Sequence, residues 1–190
     1  MARPRLFEED RAVESAMRAF WAGGYEATST EDLCAATGLG RGSVYNTFGG
    51  KHQLFERALA RYMDGKDTAL EELVAGPRPI REKVRALLWQ AIDPPVDEPP
   101  GCLVVNSMVE LAPRDPAVAA MLRRDYQRRW RALRGAFAVS RQTGEITSSK
   151  HPGDLAHVVI ATITALRVMA RAGTDQSALA TVATAVLDTL

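Results

Sequence analysis

One short segment combines hydrogen-bonding side chains with small residues at a spacing that suits contact with base pairs. Arg41 has the charge and planar geometry to bind phosphate or guanine, and Asn46 can form two hydrogen bonds with adenine. Ser43 and Thr47 can contact a base edge or a thymine methyl group. Gly42 has no side chain, so it permits close approach of the backbone. These five residues are candidates for the recognition of double-stranded DNA.

Contacts with the DNA backbone are expected from neighbouring positions. Tyr45 has an amphipathic ring whose hydroxyl group can reach a phosphate. Lys51 lies at a predicted helix start, where free N–H groups and an ammonium group together bind an anion. We also include Thr30, the predicted N-cap of the preceding helix, among the candidate DNA contacts.

Two short helices are needed to position these side chains, and the surrounding residues predict them. Gly38 suits the left-handed position at the end of the first helix, and the turn Gly-Leu-Gly-Arg follows. The second helix covers about residues 41–48, where Val44 and Phe48 lie four residues apart on one apolar side. Two helices joined in this way can form a helix-turn-helix, which places its second helix in the DNA major groove.

The order Gly-Leu-Gly-Arg-Gly-Ser-Val-Tyr-x-x-Phe-x-x-Lys-x-x-Leu, over residues 38–54, resembles the DNA-binding domain of the TetR family of one-component transcriptional repressors. The resemblance implies that the recognition helix covers roughly residues 41–48. It also implies that Tyr45 and Lys51 contact phosphates. The alternative is an αα-hairpin that only packs against the rest of the chain.

Two positions depart from the family pattern. Gly40 stands where the family usually has Ser or Thr, so we expect the second helix to lack a side-chain cap at a small cost in stability. Thr47 stands where the family often has His or Tyr, which leaves the base preference open.

The composition sets limits on the class of protein. The chain has 190 residues, 46% of them hydrophobic, and a formal net charge of +1, so it has no global signature of nucleic-acid binding. The basic residues are instead concentrated locally, since residues 38–63 contain four Arg or Lys and a single acidic residue, Glu56. No run of 18 apolar residues and no signal peptide is present, so we expect a cytoplasmic protein. Two cysteines give no disulfide framework and no metal-ligand spacing, and no cofactor is expected.

The rest of the chain is predicted to be all-α, with about nine helices in total. Residues 1–50 form the predicted DNA-binding domain, and residues 51–74 form a connecting helix. Residues 75–190 form a second helical domain for ligand binding and dimerisation. Within it, four prolines in residues 93–101 exclude a helix there.

The family resemblance implies that the second domain binds a small-molecule inducer. Large aromatic and Met side chains suit an apolar, adaptable cavity. The candidate pocket residues are Trp89, Ile92, Cys102, Met108, Met121, Tyr126, Trp130 and His157. Ordinary core packing is the alternative for each of them.

Cys102 has a second possible role. The segment Gly101-Cys102-Leu103-Val104-Val105-Asn106 resembles one found in a subgroup of TetR-like regulators. Free N–H groups at a predicted helix start favour a thiolate, which reacts with oxidants and electrophiles. The thiol is therefore either a sensor or a small buried side chain.

The last two helices, predicted at about residues 153–172 and 175–189, are rich in small and apolar residues. A two-fold four-helix interface fits them, and the family resemblance implies the same. The candidate interface residues are Ala156, Val159, Ile160, Ile163, Leu179, Val182 and Val186. Packing within one chain is the alternative.

The sequence therefore predicts a homodimeric, ligand- or redox-responsive transcriptional repressor that binds a palindromic operator. A small helical enzyme is not supported, because the chain has no Ser-His-Asp order, no His-x-x-x-His and no phosphate-binding loop. A helical adaptor that binds a protein through the basic helix at 116–139 is the second rival. It predicts no salt-dependent binding to duplex DNA.

Overall fold

The computed structural model describes residues 3–99 and 101–190, with side chains described from residue 9 onward. It contains nine helices and no strand within those ranges, which confirms the all-α prediction. The helices are α1 (Arg3–Gly23), α2 (Thr30–Thr37), α3 (Arg41–Phe48), α4 (Lys51–Ala75), α5 (Ile80–Ile92), α6 (Leu103–Glu110), α7 (Pro116–Gln142), α8 (Pro152–Arg171) and α9 (Gln176–Leu187).

The start of α2 lies one residue away from the predicted cap. Ser29, not Thr30, is the N-cap, and its side chain accepts a hydrogen bond from the Asp32 backbone N–H at 3.1 Å. The Asp32 carboxylate accepts in return from the Ser29 backbone N–H at 2.8 Å, which completes a capping box. The Ser29 hydroxyl group also donates to the Asp32 carboxylate at 2.7 Å, and this bond, followed by the one from the Ser29 backbone N–H, lowers the pKa of Asp32. Thr30 is the first helical residue.

Glycines end α2 and flank α3. Gly38 has φ +71° and Gly49 has φ +88°, a left-handed conformation that residues with a Cβ resist. Gly40 is the N-cap of α3 and provides no side-chain hydrogen bond, as predicted. The backbone therefore fixes both ends of the recognition helix through residues without side chains.

The chain divides into two compact units whose bounds differ from those of the predicted domains. The first unit contains the described residues through Gly65 together with Cys102–Leu122. Its core includes Phe20, Leu33, Val44 and Phe55, and α6 adds Leu103 to the same core. Residues 102–122, which the sequence predicts in the second domain, share this core with the helix-turn-helix.

The second unit contains Lys66–Gly101 and Arg123–Leu190. Its core is built by α5, α8 and α9 together with parts of α4 and α7, and includes Leu88, Phe137, Leu155 and Leu166. By length and composition alone, α8 is apolar enough to cross a membrane. It also provides buried residues to this core, and core helices of globular domains pass the same test.

Candidate nucleic-acid interface

Helix α3 divides into a buried side and an exposed side. Val44 and Phe48 are buried in the core of the first unit. The predicted contact residues Arg41, Gly42, Ser43, Tyr45 and Asn46 are exposed, and Thr47 is half-buried. Six of the eight predicted DNA contacts thus lie together on this helix.

The Tyr45 ring stands beside the turn that follows α3. Its side chain is 47% exposed, so the hydroxyl group is accessible to a phosphate. Gly50 has φ +133°, and a Cβ built there would lie 3.3 Å from Cε1 of Tyr45. A side chain at position 50 would therefore both strain the backbone and crowd the ring.

Lys51 begins α4, as predicted, and its ammonium group is held by an aromatic ring. The Lys51 Nζ lies 4.3 Å from the centroid of the Tyr25 ring, a cation–π contact. Tyr25 packs edge-on against Phe55 with 4.9 Å between ring centroids. Burial, followed by the charges of Glu26 and Asp115, raises the pKa of Tyr25. The half-buried Thr30 lies at the first turn of α2.

Sequence reasoning missed the support that α6 and the start of α7 give to this region. The Glu110 carboxylate accepts a hydrogen bond from the Tyr25 backbone N–H at 2.7 Å. Asp115 lies 3.4 Å from Nε2 of His52, the residue after Lys51. Because these partners are separated by tens of residues, no local pattern indicates them.

The local basic charge is smaller than the sequence suggests. Arg57 forms an ion pair with Glu9 at 3.8 Å, and Arg61 forms one with Glu14 at 2.6 Å. Arg41 is exposed and forms no ion pair with a described residue. Of the four basic residues in 38–63, Arg41 and Lys51 are therefore the two whose charges are not held by a carboxylate of a described residue.

The structure does not gather the eight predicted pocket residues in one place. Cys102, Met108 and Met121 belong to the first unit, in or against its core. The other five, Trp89, Ile92, Tyr126, Trp130 and His157, belong to the second unit.

Three of those five residues form a stack. The His157 ring lies over Tyr126 and Trp130, with centroid distances of 5.9 and 5.5 Å, and its Nδ1 lies 2.5 Å from the Tyr126 hydroxyl oxygen. His157 is exposed, and Tyr126 and Trp130 are half-buried. This cluster covers the surface between α7 and α8.

A cavity of about 550 Å³ lies elsewhere in the second unit. Its walls come from the end of α4, the turn after it, α5, the loop after α5 and one residue of α8, and none of the predicted pocket residues lines it. Among the described residues, no group of three or more His, Cys, Asp or Glu side chains is placed to bind a metal ion.

Cys102 is the N-cap of α6 and is only 8% exposed. The Tyr62 hydroxyl group donates a hydrogen bond to its sulfur at 3.5 Å. Tyr62 in turn packs edge-on against Trp21, with 4.8 Å between ring centroids. The thiol therefore belongs to the same packed core as the helix-turn-helix.

The predicted dimer residues lie mainly inside the chain. Ala156, Val159, Ile160 and Leu179 are buried in the core of the second unit, where a partner helix cannot reach them. Ile163, Val182 and Val186 are partly buried against that core. The large apolar side chains that α8 leaves exposed are instead Val158 and Val168.

Comparison with known proteins agrees with this architecture. Residues 12–58 match "Bacterial regulatory proteins, tetR family", and residues 80–186 match "Tetracyclin repressor-like, C-terminal domain". These families comprise transcriptional regulators and not enzymes.

Individual relatives share most of the chain. The HTH-type transcriptional regulator YezE of Bacillus subtilis (strain 168) is 32% identical over 72% of this chain and 70% of its own length. The HTH-type transcriptional repressor ComR of Escherichia coli (strain K12) is 31% identical over 90% of this chain and 83% of its own. A cysteine mutant of the TetR family regulator CifR, solved with a 26-bp double-strand operator DNA, superposes with a TM-score of 0.82 at 27% identity, covering 94% of both chains. The chain belongs to the TetR family of DNA-binding transcriptional regulators.

Proposed function

We propose that the protein is a cytoplasmic, homodimeric repressor that binds a palindromic operator and is released from it by a small ligand or by modification of Cys102. The observation that carries the proposal is the exposed side of α3, which presents Arg41, Ser43 and Asn46 between two glycine-fixed helix ends. The relative ComR is named a repressor, and CifR was solved on operator DNA.

Dimer formation is supported by an apolar stripe on α8 that the single chain leaves exposed. Val158, Ala161, Ala165 and Val168 are all exposed and are spaced three or four residues apart, so they follow one side of the helix. Small residues in this stripe allow a second helix to approach closely. Two-fold pairing through it would present two recognition helices to half-sites about 34–36 Å apart, or to multiples of that spacing.

Two routes of release have different support. The cavity in the second unit favours a non-covalent ligand, because cavities of about 300–1,000 Å³ hold small molecules. The contact of Cys102 with Tyr62 favours a covalent route, because a modified thiol would displace a side chain in the core that holds the helix-turn-helix. The resemblance of residues 101–106 to a segment found in a subgroup of TetR-like regulators remains a prediction.

DNA footprinting upstream of the protein's own gene tests the repressor proposal, followed by a binding selection over genomic fragments. We expect a protected palindrome, weaker binding by Asn46→Ala and unchanged binding by Gln127→Ala, an exposed polar residue of α7. If Arg131→Ala on α7 abolished binding while Asn46→Ala did not, the recognition surface would lie on the basic helix instead. A selection that returned no palindrome would refute the proposal.

The covalent route is tested with Cys102→Ser. We expect a quinone to release the wild-type protein from its operator and to leave the Cys102→Ser variant bound. Cys34→Ser is the matched control, since Cys34 lies on α2 and is the other free cysteine. Release of Cys102→Ser at the wild-type quinone concentration would assign release to another group.

A further inference from the structure

The cavity in the second unit has unequal charge on its walls. Lys66 and Glu98 neutralise each other, with 2.6 Å between Nζ and Oε1. Arg78 and Arg167 also line the cavity, and neither forms an ion pair with a described carboxylate. Glu72 is the remaining acidic residue of the lining. Unpaired cations therefore outnumber unpaired anions, which favours an anionic occupant.

Arg167 is the cation best placed to bind such an anion. It is half-buried on α8, and its Nη1 donates a long hydrogen bond of 3.4 Å to the Gly101 carbonyl group. This bond leaves most of the guanidinium donors available, and the carbonyl contact restrains the side chain before any ligand arrives. A partly desolvated and restrained guanidinium binds carboxylate groups through charge-assisted hydrogen bonds.

The other walls are apolar. Leu70, Leu73 and Leu87 line the same cavity, and Leu70 is buried. Burial of an apolar ligand surface against them would provide affinity that an inorganic ion cannot gain. The lining therefore combines a site for one anionic group with a surface for a hydrophobic body.

We propose that this cavity binds a small organic anion with an apolar body, whose anionic group is held by Arg167. The inference rests on the proposed function, because it names the class of inducer. The α4 residues that line the cavity belong to a continuous helix that begins at Lys51, one of the predicted DNA contacts. A ligand that shifts the end of this helix thereby acts on an element shared with the interface.

Isothermal titration of the full-length protein tests the site with octanoate, octanol and octylammonium, which share one apolar tail. We expect octanoate to bind at least about tenfold more tightly than either of the other two, as charge-assisted hydrogen bonds imply. Naphthoate, with a planar body, should also bind. If octanol or octylammonium matched octanoate, or if neither acid bound at millimolar concentration, the proposal would be wrong.

Variants assign the anion to its residue. Arg167→Met should weaken octanoate binding by about tenfold or more, whereas Arg134→Met, on an exposed part of α7, should not change it. Leu73→Trp should fill the cavity and reduce binding of both acids while Arg167 is retained. If Arg167→Met did not fold, Leu73→Trp would still test the site. Unchanged octanoate binding by Leu73→Trp would show that the ligand does not bind in this cavity.

The same preparations are then tested on operator DNA. Octanoate binding without any DNA binding would keep the anion site and refute the repressor proposal. DNA binding without octanoate binding would keep the repressor proposal and refute the anion site. The two proposals can thus fail separately.

Discussion

Asp67 is a buried carboxylate whose charge is incompletely compensated. It is 3% exposed, and its Oδ1 is buried without a hydrogen-bond partner among the described residues. Its Oδ2 lies 3.5 Å from Nε of Arg128, but that same nitrogen lies 2.8 Å from Oε1 of Glu71. Asp67 therefore shares one half-buried arginine with a second acid.

This environment raises the pKa of Asp67 from 3.8 to about 6, chiefly because burial disfavours the charge and then because Asp125 repels it, against the opposing effect of Arg128 and Arg129. The folded protein thus binds this proton more tightly than the unfolded chain does. Stability should increase as pH falls from about 6 to about 4, and the charged carboxylate opposes folding above that window. A difference of about two pKa units corresponds to at most ~3 kcal/mol at neutral pH.

We therefore predict that Asp67→Asn stabilises the protein at neutral pH. The gain should be roughly 1–2 kcal/mol in the free energy of unfolding, below that ceiling because the amide also loses the attraction of Arg128. It should decrease steadily as pH falls from about 6 and approach zero at about pH 3, below both pKa values, where Asp67 is protonated in both states. Urea unfolding followed by circular dichroism measures this at a fixed protein concentration, because dimer formation would otherwise change the apparent stability.

Glu71→Gln is the matched control, since Glu71 contacts the same arginine from an exposed position. The hydrogen bond from Arg128 lowers the pKa of Glu71, so its charge favours folding above its ordinary pKa and the contribution is lost in acid. Glu71→Gln should thus be neutral or slightly destabilising at pH 7, opposite in sign to Asp67→Asn. If Asp67→Asn destabilised the protein at neutral pH, the reasoning about burial would be refuted.

Three further outcomes are expected. Gly38→Ala should lower the free energy of unfolding by about 1–2 kcal/mol in urea, because φ is +71° and the cost is conformational, since no atom lies near the added Cβ. Gly38→Asn should cost less, because Asn tolerates the left-handed conformation better. Equal costs for the two variants would contradict a purely conformational effect. Lys51→Ala should reduce the slope of the logarithm of the operator-binding constant against the logarithm of salt concentration by about one. An unchanged slope would show that Lys51 contacts no phosphate. Val168→Glu should yield folded monomers in sedimentation, because Val168 is 50% exposed on α8; a persistent dimer would exclude this stripe from the interface.

The helix-turn-helix was predictable because its determinants are local. Gly38 and Gly40 fix the ends of the turn, and the spacing of Val44 and Phe48 identifies the buried side of α3. The error at Thr30 has a similarly local cause. Two hydroxyl residues are adjacent, and only the pairing of Ser29 with Asp32 across three positions distinguishes the cap.

The side of α8 that stays exposed was not predictable by the same reasoning. A helical period shows which residues share a side, but both sides of α8 contain small and apolar residues. Val159 and Ile160 face the chain's own core, whereas Val158 and Val168 remain exposed. Which stripe is buried depends on the position of α5 and α9, which no residue of α8 encodes.

The placement of α6 changes how release must be understood. The sequence predicts Cys102 in the second domain, residues 75–190, and therefore apart from the recognition helix. The structure instead packs α6 with the first unit, where Glu110 accepts the backbone N–H of Tyr25 and Tyr25 holds Lys51. A change at Cys102 therefore needs no signal from the second unit to reach the DNA-binding residues, because α6 connects the thiol to the Tyr25 contact within one core. A ligand in the cavity instead acts first on the residues that line it, which include the end of α4 and the loop after α5. The covalent route thus begins at the contact of Cys102 with Tyr62 and the non-covalent route at the cavity walls, so a Leu73→Trp variant that loses ligand binding should still respond to modification of Cys102.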